Sequence, residues 1–188
     1  MNRAELKQQA KAGLKGNLGY AILAILIESA ILGVASFTAV GTLILTGPLS
    51  VGICIFFTSV AKGEKADLGS VFGGFSNFGN ACVTGIIESI FLLLWNLIPV
   101  VGIIKAYSYS MTFFIQKDHP EMTKTEAITA SRQMMKGHKW ELFVLELSFI
   151  GWILLSCLTF GILLIVYVGP YMSATKAAYY EKLKAEQA

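Results

Sequence analysis

Three glutamates lie within the most apolar parts of this 188-residue chain, and each is followed closely by a serine. They are Glu28 in AILIESAIL, Glu88 in TGIIESIFL and Glu146 in FVLELSFIG. An ionisable side chain at membrane depth costs at least ~2.5 kcal/mol on insertion scales, so it indicates a functional site. Carboxyl groups in such a place can line a path for protons, cations or a polar solute. Their similar surroundings indicate one structural unit that occurs three times.

The composition predicts that these glutamates belong to an integral membrane protein. Hydrophobic residues make up 55% of the chain and charged residues 14%, whereas soluble proteins average about 25% charged residues. No charged residue occurs in 29–61, 68–87 or 147–175, and a helix of about 20 apolar residues crosses a bilayer. We therefore predict an all-α fold, a multi-pass bundle of transmembrane helices formed by one domain, residues 1–188.

Recurring motifs divide the predicted bundle into three helical hairpins. The motif KGN at 15–17 resembles KGH at 136–138, and the glycine of each precedes a Gly-Pro pair by 31 and 32 residues, respectively. A shorter version in the middle of the chain ends in a turn at 98–102. The predicted hairpins are 18–61, 80–117 and 139–177, with about six spans at 18–36, 42–61, 80–98, 103–117, 139–157 and 160–177.

Basic residues predict the orientation of this bundle. Fourteen of the fifteen lysines and arginines lie in, or at the edge of, four segments outside the hairpins. These segments are 1–17, 62–79, 118–138 and 178–188. With six spans all four lie on one side, which the positive-inside rule assigns to the cytoplasm. We therefore expect a protein of the cytoplasmic membrane with both termini in the cytoplasm.

Short amphipathic helices are predicted in the cytoplasmic segments that precede the hairpins. In the first, Leu6, Ala10 and Leu14 form an apolar stripe beside a stripe of lysines. The third begins with a capping-box match from Thr123 to Glu126 and ends before a glycine. Such helices either lie on an anionic membrane surface or connect the hairpins in solvent. The sequence leaves both interpretations open.

Polar side chains also recur at helical spacing along the fourth span. Lys105, Ser108, Tyr109, Thr112 and Gln116 are predicted to share one face of a continuous helix. The rise along a helix places Tyr109 and Thr112 near the level of Glu88, and Lys105 near the outer interface. The predicted intramembrane polar cluster contains Glu28, Glu88, Glu146, Tyr109, Thr112, Ser108 and Lys105. It either conducts a proton, cation or small polar or amphiphilic solute, or joins helices through neutral carboxyl groups.

Sequence signatures of common enzymes do not occur in the chain. It has no H-E-x-x-H, no G-x-S-x-G and no Walker glycine loop, and its cysteines fit no C-x-x-C spacing. The two histidines, His119 and His138, are far apart in the sequence. We therefore expect a non-enzymatic protein without a metal or other cofactor. The modest net charge of +3 follows from topology and does not indicate a nucleic-acid partner.

Several runs resemble a bacterial family of integral membrane proteins, domain-of-unknown-function family 975. The runs are Glu5 to Lys7 with 15–17, Gly102 to Met111, Ser131 to Lys139, and Pro170-Tyr171 with Thr175, Ala178 and Tyr180. The resemblance implies a multi-pass membrane protein, without implying an activity. Within the third run, Arg132, Lys136 and Lys139 could bind lipid phosphates or a partner. The alternative function is therefore a scaffold or accessory subunit that binds anionic lipid, a membrane protein or a second copy.

Overall fold

The computed structural model describes residues 3–122 and 125–187, and all regular secondary structure in these residues is helical. The α-helices are α1 Arg3–Leu14, α2 Leu18–Ala35, α3 Ala39–Ala61, α4 Phe78–Trp95, α5 Pro99–Tyr109, α6 Thr112–Asp118, α7 Glu126–Met134, α8 Lys139–Leu147, α9 Ile150–Leu158 and α10 Gly169–Gln187. A 3-10 helix, Leu68–Asn77, precedes α4, and a π-helix, Leu164–Val168, precedes α10. The prediction of an all-α fold is confirmed.

Within the described residues, four helical segments are long and apolar enough to cross a membrane: Leu18–Ala35, Val40–Ala61, Leu68–Trp95 and Lys139–Leu158. They correspond to the first, second, third and fifth predicted spans. The predicted fourth and sixth spans are not continuous α-helices. The fourth is divided between α5 and α6, and the sixth between the π-helix and α10. The structure is thus consistent with a membrane protein, with four membrane-spanning candidates.

Helix α3 lies at the centre of the fold, because small residues let its neighbours approach closely. α1, α2, α4, α6, α10 and the 3-10 helix all pack against it. At Gly47, a Cβ atom would overlap the carbonyl oxygen of Ala81 on α4. At Gly52, a Cβ atom would overlap the backbone of Val71 in the 3-10 helix. These glycines therefore make the tight packing of two neighbours against α3 possible.

The apolar stripe of α1 is buried within the protein. Leu6, Ala10 and Leu14 are fully buried, and α1 packs against α10 and α3. Lys7 reaches α8 from the polar side, where its Nζ donates a hydrogen bond to the Ser148 carbonyl oxygen at 3.2 Å. The stripe is therefore not free to contact a membrane surface, whereas the exposed Lys11 and Lys15 are consistent with the alternative, a connecting helix in solvent.

Helix α7 supports a break in the polypeptide between α5 and α6. The buried Ser131 hydroxyl accepts the backbone N–H of Met111 at 3.2 Å and donates to the carbonyl oxygen of Ser108 at 2.9 Å. It thereby replaces hydrogen bonds that a continuous helix would form. The prediction of one polar helical face over 103–117 is therefore wrong. Thr123, the start of the predicted capping box, lies outside the described residues, whereas Gly137 takes the expected positive φ of +92°.

The exposed apolar side chains are concentrated at the three turns between the paired helices. Phe37 is 90% exposed, Leu97 is 77% exposed and Phe160 is 99% exposed. Large buried aromatic residues, including Phe56 and Tyr180, lie nearer the other ends of their helices. Apolar surface of this extent is typical of a region that contacts lipid or another protein.

An ionic cluster connects the end of α6 to α10. Asp118 accepts hydrogen bonds from the Tyr180 hydroxyl at 2.8 Å and from Lys184 at 2.5 Å. Lys117 lies 3.0 Å from the same carboxylate. Burial by itself would raise the pKa of Asp118, but the hydrogen bonds from Lys184, Tyr180 and Lys117 outweigh it and lower the pKa from 3.8 to about 2. The folded state therefore favours the ionised carboxylate.

This cluster predicts a loss of stability in acid. A depressed pKa contributes stability above the ordinary value, and that contribution disappears as the pH falls through the folded pKa. Between about pH 4 and pH 2 we expect the protein to lose about 1–2 kcal/mol that Asp118→Asn does not lose, after allowance for solvent screening. Unfolding in detergent at both pH values measures this difference. A variant that loses as much stability as the native protein would contradict the prediction, and Glu121→Gln is an exposed control.

Candidate functional site at Glu88

Glu88 belongs to a buried polar ladder between α4 and α6. Thr84 and Glu88 are one helical turn apart on α4, and Thr112 and Gln116 are one turn apart on α6. Gln116 Nε2 donates to Thr84 Oγ1 at 3.0 Å, and the Thr112 hydroxyl lies beside the Glu88 side chain. Glu88 is 8% exposed, and the other three residues are more deeply buried. The ladder therefore has two rungs that are shielded from solvent.

Two oxygen atoms of this ladder have no hydrogen-bond partner among the residues that the structure describes. They are Glu88 Oε2 and Gln116 Oε1. The Thr112 hydroxyl donates its proton to the carbonyl oxygen of Tyr109 at 2.7 Å, so it does not supply the missing donor. Buried polar groups normally have partners, because an unpaired one costs free energy. The two oxygens can accept a hydrogen bond or contact a cation.

Helices α2, α3 and α10 bring further polar groups towards this part of the core. The buried side chain of Cys54 on α3 interacts electrostatically with Glu28 and Glu88, and also with Lys176 on α10. Glu28 is half-buried in α2. Two of the three predicted glutamates therefore approach the same region from different helices. Lys176 also interacts electrostatically with Glu88 itself.

The third glutamate has a different neighbour. Glu146 Oε2 accepts a hydrogen bond from the Tyr107 hydroxyl at 2.8 Å, between α8 and α5. Glu146 also lines a cavity of about 210 Å³ together with Lys176 and Thr175 of α10. The structure therefore places Glu146 outside the ladder. Lys176 is a neighbour of both Glu146 and Glu88. Lys176 was not predicted as a site residue, although its position directly after the charge-free run 147–175 was a signal.

The remaining predicted residues lie outside the ladder. Ser108 donates to the Ile104 carbonyl oxygen within α5 at 2.8 Å. The Lys105 ammonium lies 4.3 Å from the centroid of the Trp95 ring. Trp95 ends α4 beside the turn into α5, so the Lys105 ammonium lies towards that turn, and Lys105 also lines a cavity together with Arg132 of α7.

The three basic residues predicted as a cytoplasmic contact are distributed over different surfaces. Arg132 lines the cavity beside Lys105, whereas Lys139 lines a second cavity with Tyr107 and Trp140. Lys136 is exposed and lines neither of these two cavities. Lys105 and Tyr107 are two residues apart on α5, so their side chains project to opposite sides of that helix. The two cavities therefore lie on different sides of α5. A single basic patch is therefore not formed by this trio.

Comparison with known families matches residues 99–187 to the family described as "Protein of unknown function (DUF975)". The match covers 89 of the 188 residues, in the C-terminal part of the chain. The DUF975 region includes the runs at 102–111, 131–139 and 170–180 that carry the resemblance, whereas the runs at 5–7 and 15–17 lie outside it. No curated protein and no solved structure matches the chain. The DUF975 description gives no activity, so the function has to be argued from the geometry.

Proposed function

We propose that the chain is a non-enzymatic protein of the bacterial cytoplasmic membrane that handles a proton, a cation or a small polar or amphiphilic solute at Glu88. The observation that carries this proposal is the pair of unpartnered buried oxygens, Glu88 Oε2 and Gln116 Oε1. Both atoms are acceptors, so the group that satisfies them must bring hydrogen-bond donors or positive charge. A proton on Glu88, a cation or a solute with donor groups would satisfy these oxygens, whereas an anion without donor groups would not.

The proposed topology has six passes in three hairpins. Helices α5 and α6 together form the fourth pass, and the π-helix and α10 together form the sixth. Two features support this topology. The turns at 36–38, 96–98 and 159–163 are rich in exposed apolar side chains. Apart from Lys105, the basic residues lie in and after α1, after α3, around α7 and in α10, away from these turns. By the positive-inside rule, this separation supports a cytoplasmic position for both termini.

The three glutamates have distinct roles in this proposal. Glu88 is the binding group, because it is buried and one of its oxygens is unpartnered. Glu28 is half-buried near the same core region and provides a second acceptor along a path from α2. Glu146 is hydrogen-bonded by Tyr107 and joins α8 to α5. Glu146 therefore serves as a matched control for Glu88.

Flux through vesicles tests the proposal. In vesicles that contain the purified protein, we expect Glu88→Gln to reduce proton or monovalent-cation flux to the level of protein-free vesicles. Glutamine keeps the shape and removes the titratable charge, whereas Glu146→Gln keeps the flux because it leaves the ladder intact. Dyes for pH, sodium and potassium inside the vesicles report the flux. Equal flux in the native protein and Glu88→Gln would rule out Glu88 as the binding group.

The alternative function, a scaffold or accessory subunit, is favoured by the exposure of the segment after α7. Lys136 is exposed, and Trp140 nearby is 71% exposed. Aromatic residues are enriched in protein interfaces. A protein partner or a second copy would bind this segment without needing Glu88. A folded Glu88→Gln variant with unchanged flux would therefore favour this second function.

A further inference from the structure

A cavity of about 460 Å³ between α4, α5 and α7 combines positive charge with an aromatic wall. It is lined by Phe91, Leu94 and Trp95 of α4, Lys105 and Tyr109 of α5, and Arg132 of α7. None of these six residues is acidic. Among the described residues, neither Lys105 nor Arg132 takes part in a salt bridge. The two cations are therefore available to an anion.

The two cations of this cavity come from different helices and lie at different depths. Ser131, next to Arg132, binds the backbone at the C-terminal end of α5. Leu94 and Trp95 end α4, beside the turn that leads into the N-terminus of α5. The 11 residues of α5 extend over about 16 Å. Arg132 thus lies at the α7 end of the cavity, whereas the Lys105 ammonium lies beside Trp95 near the hairpin turn.

We infer that this cavity binds an anionic phospholipid, with the phosphate between Lys105 and Arg132 and an acyl chain along Leu94 and Trp95. A phospholipid has both an anionic group for the two cations and an acyl chain for the apolar side chains of the lining. The guanidinium can donate two parallel hydrogen bonds to phosphate oxygens. The exposed apolar side chain of Leu97, in the adjoining turn, extends the apolar surface. This inference does not depend on the transport function proposed for Glu88.

The contact between Lys105 and Trp95 provides a direct probe of this site. The ammonium lies 4.3 Å from the indole centroid, so a lipid whose phosphate binds Lys105 must place its first chain carbons near the ring. Replacing Trp140 and Trp152 by phenylalanine leaves Trp95 as the only tryptophan. Lipids with brominated acyl chains then quench its fluorescence only when a chain is in contact with it.

The experiment compares brominated phosphatidylglycerol with brominated phosphatidylcholine in detergent micelles that contain the single-tryptophan protein. We expect phosphatidylglycerol to quench at a lower mole fraction. Lys105→Gln and Arg132→Gln should each weaken its apparent affinity about fivefold, the equivalent of about 1 kcal/mol per basic residue. Lys65→Gln, at an exposed position after α3, should leave the affinity unchanged.

Where a charge variant does not fold, competition by unbrominated lipid on the protein with native Lys105 and Arg132 tests the same inference. Unbrominated phosphatidylglycerol should reverse the quenching in the unaltered cavity, whereas phosphatidylcholine and inorganic phosphate should not. Equal quenching by the two brominated lipids would overturn the inference, because it would show that the cations do not select the headgroup. Reversal by inorganic phosphate would also overturn it, because it would identify a site for a free anion.

Discussion

Substituting leucine for Gly47 is expected to lower the free energy of unfolding by roughly 3 kcal/mol or more, beyond the usual cost of overpacking. A Cβ at this position would overlap the Ala81 carbonyl oxygen, and a Cβ on Gly85 would lie 2.7 Å from the Gly47 Cα. Both obstacles are backbone atoms of α3 and α4, so no side-chain rotation can relieve the clash. The helices would have to separate, and α3 is the helix on which the rest of the fold packs.

A matched control for this substitution is Gly79→Ala, at the start of α4. A Cβ there meets nothing within 4 Å, and alanine favours a helix by up to about 1 kcal/mol over glycine. We expect this variant to be as stable as the native protein or more stable. Thermal unfolding in detergent, followed by circular dichroism, compares the variants. Equal melting temperatures for Gly47→Leu and the native protein would contradict the close approach.

Replacing Ser131 with alanine is expected to have the second largest effect, a loss of roughly 2–5 kcal/mol in the free energy of unfolding. The serine hydroxyl is the partner of both the Met111 N–H and the Ser108 carbonyl oxygen at the break between α5 and α6. Alanine leaves a buried donor and a buried acceptor unpaired, and each such group costs about 1–3 kcal/mol. Denaturant unfolding of both proteins measures the loss.

Two further variants distinguish the effect of the Ser131 hydrogen bonds from the effect of removing any serine hydroxyl. Ser110→Ala removes only a hydrogen bond to the Tyr107 carbonyl oxygen within the same turn, so its effect should be within about 0.5 kcal/mol. Ser131→Thr keeps a hydroxyl at the break and should be more stable than Ser131→Ala. If Ser131→Ala and Ser110→Ala lower the free energy of unfolding by the same amount, the hydrogen bonds from Ser131 to the break do not contribute the stability expected of them.

Features that depend on local sequence were predictable. The charge-free runs indicated the four membrane-spanning candidates, because apolar length alone decides that property. The helices also end near the positions where Pro99 and Gly161 interrupt the apolar pattern. Counting the helical rise placed Thr112 at the level of Glu88, and the structure places these two side chains beside each other.

Features that depend on contacts between distant residues were not predictable. The break at Ser110 and Met111 requires Ser131, which lies 20 residues after Met111 and on another helix. The pair formed by Thr84 and Gln116 depends on how α4 and α6 face each other. Lys176 likewise acquires its importance only because α10 lies against the core. In each case the sequence shows the polar residue but does not show which distant residue it contacts.

The bridge formed by Ser131 also sets an order of events during biosynthesis. This serine leaves the ribosome 13 residues after Asp118, the last residue of α6. In the proposed six-pass topology, the backbone of 99–118 would until then satisfy its hydrogen bonds in lipid only as one unbroken helix. Such a helix of 20 residues would be about 30 Å long, the thickness of the hydrocarbon core of a bilayer. The nascent segment therefore acquires its two-part shape only when α7 docks.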